Sequence, residues 1–503
     1  MKHTTIPARS AAKAADCWNL DSLYTSDASW NAALTGFSSY TDRVNAFREK
    51  LAPAAAAGSL TASAIPAAAA SRTAPAIPSP ADLADCLDAY REAQQLGEKL
   101  GNYAFLKKSA DESDAENLDR VGRYMMAASA FEAGVSWLIP AIQAIPETAI
   151  QDWIAGERFA DYRTWLEKLL RLKPYILSER EERILALETE ARQTPRTAFS
   201  LLTNVDLEFG TVKTADGEEP LSQTTWSKFL ENPDRSVRAE AYRKFYGAFE
   251  AHKNTIASLY TGSVNQDVAT ARIRGYPSAR AMELFPDRVS ETVYDNLVST
   301  VRANLAPLHR YYSLRKKALG LDELRHYDVY VPLVAQVKRV TPYAEAVSLI
   351  GEALAPLGAE YTDTLTKGLL GGWVDRYENK GKRSGAFSSG GFEGDPYILM
   401  NYKDEVLRDV FTLAHEGGHS MHSWYSARNN PFMSYNYTIF EAEVASTFNE
   451  DLLFRHLMKT ADDPKMKAFL LSTRASDILA TLYRQTMFAE FEKTAHALVE
   501  GGT

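Results

Sequence analysis

Uninterrupted apolar runs are missing from this chain: no 18 consecutive apolar residues occur in its 503, which argues against a helical membrane span. Cysteine is nearly absent as well. Cys17 and Cys86 alone give no disulfide framework and no paired thiolate motif, so a reducing compartment suits the chain. Positive charge does not prevail; a formal net charge of −9 speaks against nucleic acid or an anionic membrane surface as a partner. Met1-Lys2-His3-Thr4 leads into Ile6-Pro7-Ala8-Arg9-Ser10 without the apolar core of a signal peptide, so the expected location is the cytoplasm. There is no repeat of 20 to 50 residues. No G-x-S-x-G occurs and neither cysteine has placed partners, which removes nucleophilic catalysis of the usual kinds.

What is present is ample material for a core, with 45% hydrophobic residues and a length sufficient for two or three domains. Apolar residues recur at helical spacing over Leu83 to Lys107, Ala115 to Leu138 and Asp161 to Leu172; Pro174 then separates this last stretch from Ser178 to Arg192. Leu51 to Asp82 is an Ala/Pro/Ser segment broken by Pro53, Pro66, Pro75, Pro78 and Pro80, which reads as a flexible linker. Val205 to Val212 followed by Asp216-Gly217 reads as a hairpin with a D-G turn. Taking that hairpin as a boundary gives an N-terminal helical lobe, 1–195, with the flexible segment 51–82 inside it, and a catalytic lobe, 196–503. Oligomeric state leaves no signature in the sequence.

Chemistry concentrates in His415-Glu416-Gly417-Gly418-His419, an H-E-x-x-H pentapeptide. With nine histidines in the chain, chance produces such a string with odds on the order of one in a hundred. Positions 415 and 419 share a helix face, so two imidazoles can meet one zinc ion, and Glu416 stands beside them as a general base. Val406, Val410, Phe411, Leu413 and Ala414 continue the helical period upstream, with Asn401 or Asp404 as candidate N-caps and Pro431 as the outer limit. Two glycines inside a helix cost about 1 kcal/mol each against alanine, so Gly417 and Gly418 imply a close neighbour, either backbone or substrate. His422 shares the face, yet about 10 Å of rise from 415 excludes both from one ion, leaving it a supporting or packing role.

A catalytic zinc wants a third protein ligand and an open fourth position. The next helical stretch, Ile439 to Glu450, offers Glu441 and Glu443. Thr438 and Glu441 stand in capping-box relation, which accounts for Glu441. Glu443 has no such role, lies beside the apolar ridge Phe440, Val444, Phe448 and Leu452, and should turn partly inward, where a cation would relieve it. Glu443 is therefore the expected third ligand, and Glu450 the carboxylate that orients a ligating imidazole. Upstream, the loop Ser384 to Gly391 precedes a short strand, Tyr397 to Tyr402. A free edge on that strand could pair with an extended peptide, with Gly385, Ala386, Phe387 and Tyr397 as expected substrate contacts.

The run Phe411 to Ser423, with Glu443-Val444-Ala445-Ser446 downstream, resembles the oligoendopeptidase F branch of the thimet oligopeptidase and neurolysin group of zinc metallopeptidases. Trp18 to Tyr24, Asp328 to Val334, Lys382 to Phe387, Pro396 to Tyr402 and Arg484 to Phe491 agree, so the likeness covers nearly the whole chain. It implies a mainly helical, two-lobed zincin-type fold with a deep central channel and a small β-sheet near the active site. It also implies one zinc on His415, His419 and Glu443, with Glu416 as base, and short peptides as substrates. One departure stands out: the family's H-F-Y-Y-x-F-Y segment, which supplies oxyanion donors, is missing from a chain that stops at Gly501-Gly502-Thr503. The expectation is a truncated member that binds zinc and cleaves peptides poorly, since a lost oxyanion donor costs roughly 10²–10³ in turnover. Tyr435 and Tyr437 are candidate replacements, though packing roles suit them better. Two rival readings differ in kind: an aminopeptidase, for which no G-x-M-x-N signature appears and which N-blocked substrates would exclude, and a non-enzymatic peptide-binding protein on the same scaffold.

Overall fold

The computed structural model describes residues 6–52, 77–334 and 339–502. Most of the proposed Ala/Pro-rich linker, 53–76, lies outside the described residues. The chain is mainly helical and divides into two compact units. These units interleave along the sequence, whereas a contiguous division at 195/196 was expected. One unit comprises Met1–Lys173 with Lys338–Thr460, the other Pro174–Val337 with Ala461–Thr503. The cut falls at 173/174, where Pro174 ends a helical run, and the hairpin taken as a boundary sits inside the second unit.

In that second unit β1 (Thr211–Thr214) pairs antiparallel with β2 (Gly217–Pro220) around the expected Asp216-Gly217 turn. Val205 and Asp206 do not join the hairpin; they close a helical turn over Leu202–Asp206. Aromatic residues Phe209, Phe229 and Phe245 form the core beneath. Asp328 is fully buried and receives Arg235 and Arg238, each at 2.9 Å.

The first unit is built on α1 (Pro80–Ala110) and α2 (Ala115–Val135). Pro80 starts α1 rather than breaking it, since a proline in the first turn has no amide hydrogen to lose, and Ser79 caps the end by accepting from Ala81 N–H. Leu83, Leu87, Leu100 and Ala104 fall at helical spacing on one buried face of α1. Trp30 docks against it and donates its indole N–H to the carbonyl of Leu100. An 18-residue window within Ala115–Ala144 reaches a mean hydropathy of 1.4, but the helix breaks after Val135, and Phe131, Leu138 and Ile142 are buried in the core.

A three-stranded sheet lies in the same unit, ordered β3 (Val374–Asp375), β5 (Tyr397–Leu399), β4 (Phe387–Ser389). β3 runs parallel to β5, and β4 antiparallel, with Ser388 opposite Ile398. The strand expected to offer a free edge, β5, is thus the middle one, fully buried and paired on both sides; the outer strands are β3 and β4. Buried Lys382 binds Asp375 at 2.7 Å and Arg9 completes the cluster, which pins the segment leading into β4.

Helices α3 (Leu407–Asn429) and α4 (Ile439–Thr460) follow the sheet. α3 begins one residue after Val406, so neither Asn401 nor Asp404 caps it; Asn401 instead donates to the carbonyls of Arg383 and Gly385. The two glycines are explained by backbone. A Cβ on Gly418 would stand 2.6 Å from Ser446 Cα and 2.8 Å from the Ala445 carbonyl oxygen, so α3 and α4 touch where only glycine fits. Gly417 faces the side chain of Leu365.

Candidate metal centre

That close approach brings Glu443, three residues before Ser446, across from the histidine face of α3. His415 Nε2 and His419 Nε2 lie 3.2 Å apart, and Glu443 Oε2 lies 3.4 Å from the first and 3.5 Å from the second. Three donor atoms from two helices thus form a nearly equilateral triangle. Each imidazole is oriented from behind. Glu450 Oε1 lies 2.5 Å from His415 Nδ1, which places the proton on Nδ1 and leaves the Nε2 lone pair facing the triangle. The His419 ring donates to the backbone carbonyl of Ala442. Glu443 is steadied by Ser446 Oγ, which donates to its Oε2 at 2.7 Å.

The reason given for Glu443 from sequence does not hold, although the residue reaches the triangle. Its side chain is 63% exposed, and the supposed inward ridge faces outward, with Phe440 63%, Val444 65% and Phe448 51% exposed. The face α4 buries is set by the Gly418 contact and carries Ser446, Asn449, Leu453 and Leu457. Asn449 was not singled out from sequence; it donates to the Ala414 carbonyl and accepts from Tyr361, bridging α4 to the turn that carries His415. Its period-3 spacing from Ser446 on the glycine-contacting face was the available signal.

Glu416 is buried, 7% exposed, and points toward β4, where Ser388 N–H donates to its carboxylate. Burial pushes its pKa up to about 7, with His415 opposing and Glu443 adding to the rise. His415 is raised as well: burial works against its cationic form, but the Glu450 hydrogen bond and the surrounding carboxylates prevail. His419 is lowered by burial and by the neighbouring imidazoles.

The remaining expected residues separate. His422 is outside the triangle; its ring stacks on Tyr437, centroids 3.7 Å apart at 8°, and Tyr437 Oη shares a 3.1 Å hydrogen bond with Ser423. Tyr435 is buried, with its hydroxyl on Glu98. Tyr397 is wholly buried and its hydroxyl meets Ser22 and the Asn19 carbonyl, so its side chain belongs to the core, not to a binding surface. The Phe387 ring packs among Trp18 and Phe105. Gly385 and Ala386 stay at the approach to β4, Gly385 with a φ of +83°.

A helix pair that gathers two imidazoles and a carboxylate, with a buried glutamate alongside, is the layout of a metallopeptidase core. Comparison with known proteins agrees with that class. The model of Peptidase family M3 matches residues 228–502 and that of Oligopeptidase F matches residues 142–209. The chain belongs to peptidase family M3, in its oligoendopeptidase F branch. It is 42% identical to an oligoendopeptidase F homolog of Borreliella burgdorferi over 82% of this chain and 70% of that protein. It is 37% identical to oligopeptidase PepF of Bacillus subtilis over 100% of this chain and 71% of that one. Among solved structures, the oligoendopeptidase-F of Enterococcus faecium aligns with a TM-score of 0.64 at 27% identity, covering 95% of this chain and 76% of that one.

Proposed function

We propose that the protein is a zinc-dependent endopeptidase that hydrolyses short peptides. The observation that carries this reading is the triangle of 3.2, 3.4 and 3.5 Å among His415, His419 and Glu443. Ligands about 2.0–2.1 Å from a tetrahedral zinc stand roughly 3.3–3.4 Å from one another, so the residues present fit that ion, with a fourth position left for water or substrate. Two imidazoles and one carboxylate are also the donor set of hydrolytic zinc rather than of calcium or magnesium. Bound there, zinc supplies Lewis-acid polarisation of a peptide carbonyl and acidifies water.

The chain's own residues do the rest. Glu416, held by Ser388 N–H and shielded from solvent, takes the proton from the attacking water and delivers it to the leaving amine. Glu450 fixes the His415 tautomer. Ser388 turns its N–H away from β5 toward Glu416, so by strand alternation Ala386 also presents its backbone to the free edge of β4. An extended peptide pairing there is held through its main chain, which accounts for broad side-chain tolerance. The names of the relatives support oligopeptides as the substrates, and two unpaired cysteines fit a reducing cytoplasm.

Zinc-loaded protein should cleave an N-blocked, quenched fluorogenic peptide, and Glu416→Gln should keep its zinc while turnover falls by about 10³-fold or more. A wild-type rate in that variant would show that Glu416 is not the base. Peptide binding without cleavage by the zinc-loaded wild type would favour the peptide-binding scaffold instead.

A further inference from the structure

Two segments border the metal group without belonging to it: β4 with the turn after it, residues 387–393, and the connector 430–438 between α3 and α4. Both meet one face of α1. Asn102 Oδ1 accepts from Ser389 Oγ at 2.8 Å and Lys99 Nζ reaches Glu393 at 2.7 Å. Between them Glu98 receives two donors, Phe392 N–H at 2.7 Å on Oε1 and Tyr435 O–H at 2.5 Å on Oε2. The turn has the glycines such contact needs. A Cβ on Gly391 would come 3.1 Å from Glu98 Oε1, and one on Gly390 would come 2.3 Å from Ser423 Cβ of α3. Phe392, Phe432 and Tyr435 pack ring against ring around the carboxylate. Two residues beyond Tyr435, Tyr437 lies on His422, and Thr438 then donates to Glu441 at the start of α4.

We propose that Glu98 is a positioning residue, one carboxylate that holds the turn after β4 and the connector before α4 together and so fixes the peptide-pairing edge of β4 relative to Glu416. This inference rests on the peptidase reading above, because it requires a peptide on that edge. The arrangement needs an acceptor with two oxygens in a half-buried place; burial pushes the Glu98 carboxyl pKa up, and the Tyr435 and Phe392 donors oppose that. Removing the carboxylate cuts, in one step, the tie that the two segments share. A peptide then meets an edge whose register against Glu416 is loose, and binding weakens. The metal ligands are untouched, because α3 and α4 are joined through Gly418 and Asn449 rather than through Glu98.

The test is peptide affinity in the zinc-loaded full chain carrying Glu416→Gln, read by anisotropy of a fluorescent N-blocked peptide beside zinc content and thermal midpoint. Adding Glu98→Ala should weaken affinity about tenfold, the scale of one or two lost hydrogen bonds, with zinc content unchanged; the midpoint falls as well, because Tyr435 O–H and Phe392 N–H lose their acceptor. Glu98→Gln keeps an acceptor for Phe392 and can donate to Tyr435 Oη, so it should recover affinity to within about threefold. Tyr435→Phe cuts one arm alone, should cost about threefold, and carries the test if the alanine variant does not fold. Unchanged affinity in Glu98→Ala, or zinc content falling together with affinity, overturns the proposal. If the Glu416→Gln parent itself binds no peptide, the peptidase reading fails and this inference with it, an outcome distinct from a parent that binds and an alanine variant that binds equally.

Discussion

Glu450 is the residue whose contribution separates most cleanly from the ligands. Its oxygen lies on His415 Nδ1, so on the proposed reading it would act on a bound zinc through the imidazole it orients. Glu450→Ala should weaken zinc affinity by about 10–100-fold without changing the ligand count, measured by competition with a chromogenic chelator. An unaltered zinc affinity would mean that the ring is held by packing alone. At this scale the sequence was informative where helix geometry decides. Histidines four apart must share a face, and His422 lies too far along the axis to join them. Glu443 was reached by elimination, once Thr438 accounted for Glu441, and the Thr438 hydroxyl does meet Glu441. Which way the rest of α4 faces was misjudged, because amphipathic pattern speaks to the average burial of a helix and not to the one contact, at Gly418, that sets its rotation.

Elements add a constraint that single residues do not show. The α3–α4 contact is backbone on backbone, and a methyl group there has nowhere to go. Gly418→Ala should lower the unfolding free energy by about 1–3 kcal/mol in urea denaturation, despite the better helix propensity of alanine. Gly417→Ala is the internal control: its Cβ would meet the flexible end of Leu365 at 3.1 Å, so the change should be near neutral. Equal effects would remove the argument that Gly418 sets the helix spacing. Helix extents were legible to within a few residues, as the capped starts at Ser79, Asp114 and Ser178 show. Sheet order was not. The strand at 397–399 is evident from composition, but what makes it central is β3, two residues long and without a pattern of its own.

On the scale of the molecule, the chain leaves the first unit after Lys173, builds most of the second, and returns to complete the first. No composition shift marks the return, so a reading along the sequence favours a single contiguous cut. The stability of the second unit leans on Asp328. Burial disfavours its charge, but Arg235, the Arg325 amide and Arg238 outweigh that, and its pKa is lowered. A carboxylate with a depressed folded pKa stabilises above its unfolded value, near 3.9, and that contribution is lost as pH falls through the folded pKa. Asp328→Asn should therefore cost about 3–5 kcal/mol at pH 7, because Arg238 is left buried without its counter-charge. The gap between wild type and variant should begin to narrow as pH falls below about 4, and close further as pH passes the depressed folded pKa, where the wild-type group also becomes neutral. A gap independent of pH would assign the loss to packing.

The central claim is one divalent ion held by ligands from two helices, and anomalous diffraction at the zinc edge from crystals of the zinc-loaded protein tests it most directly. The account predicts one peak about 2.0–2.2 Å from His415 Nε2, His419 Nε2 and a Glu443 carboxylate oxygen. A peak bonded to the histidines with the Glu443 oxygens turned away, or no peak between α3 and α4, would contradict it.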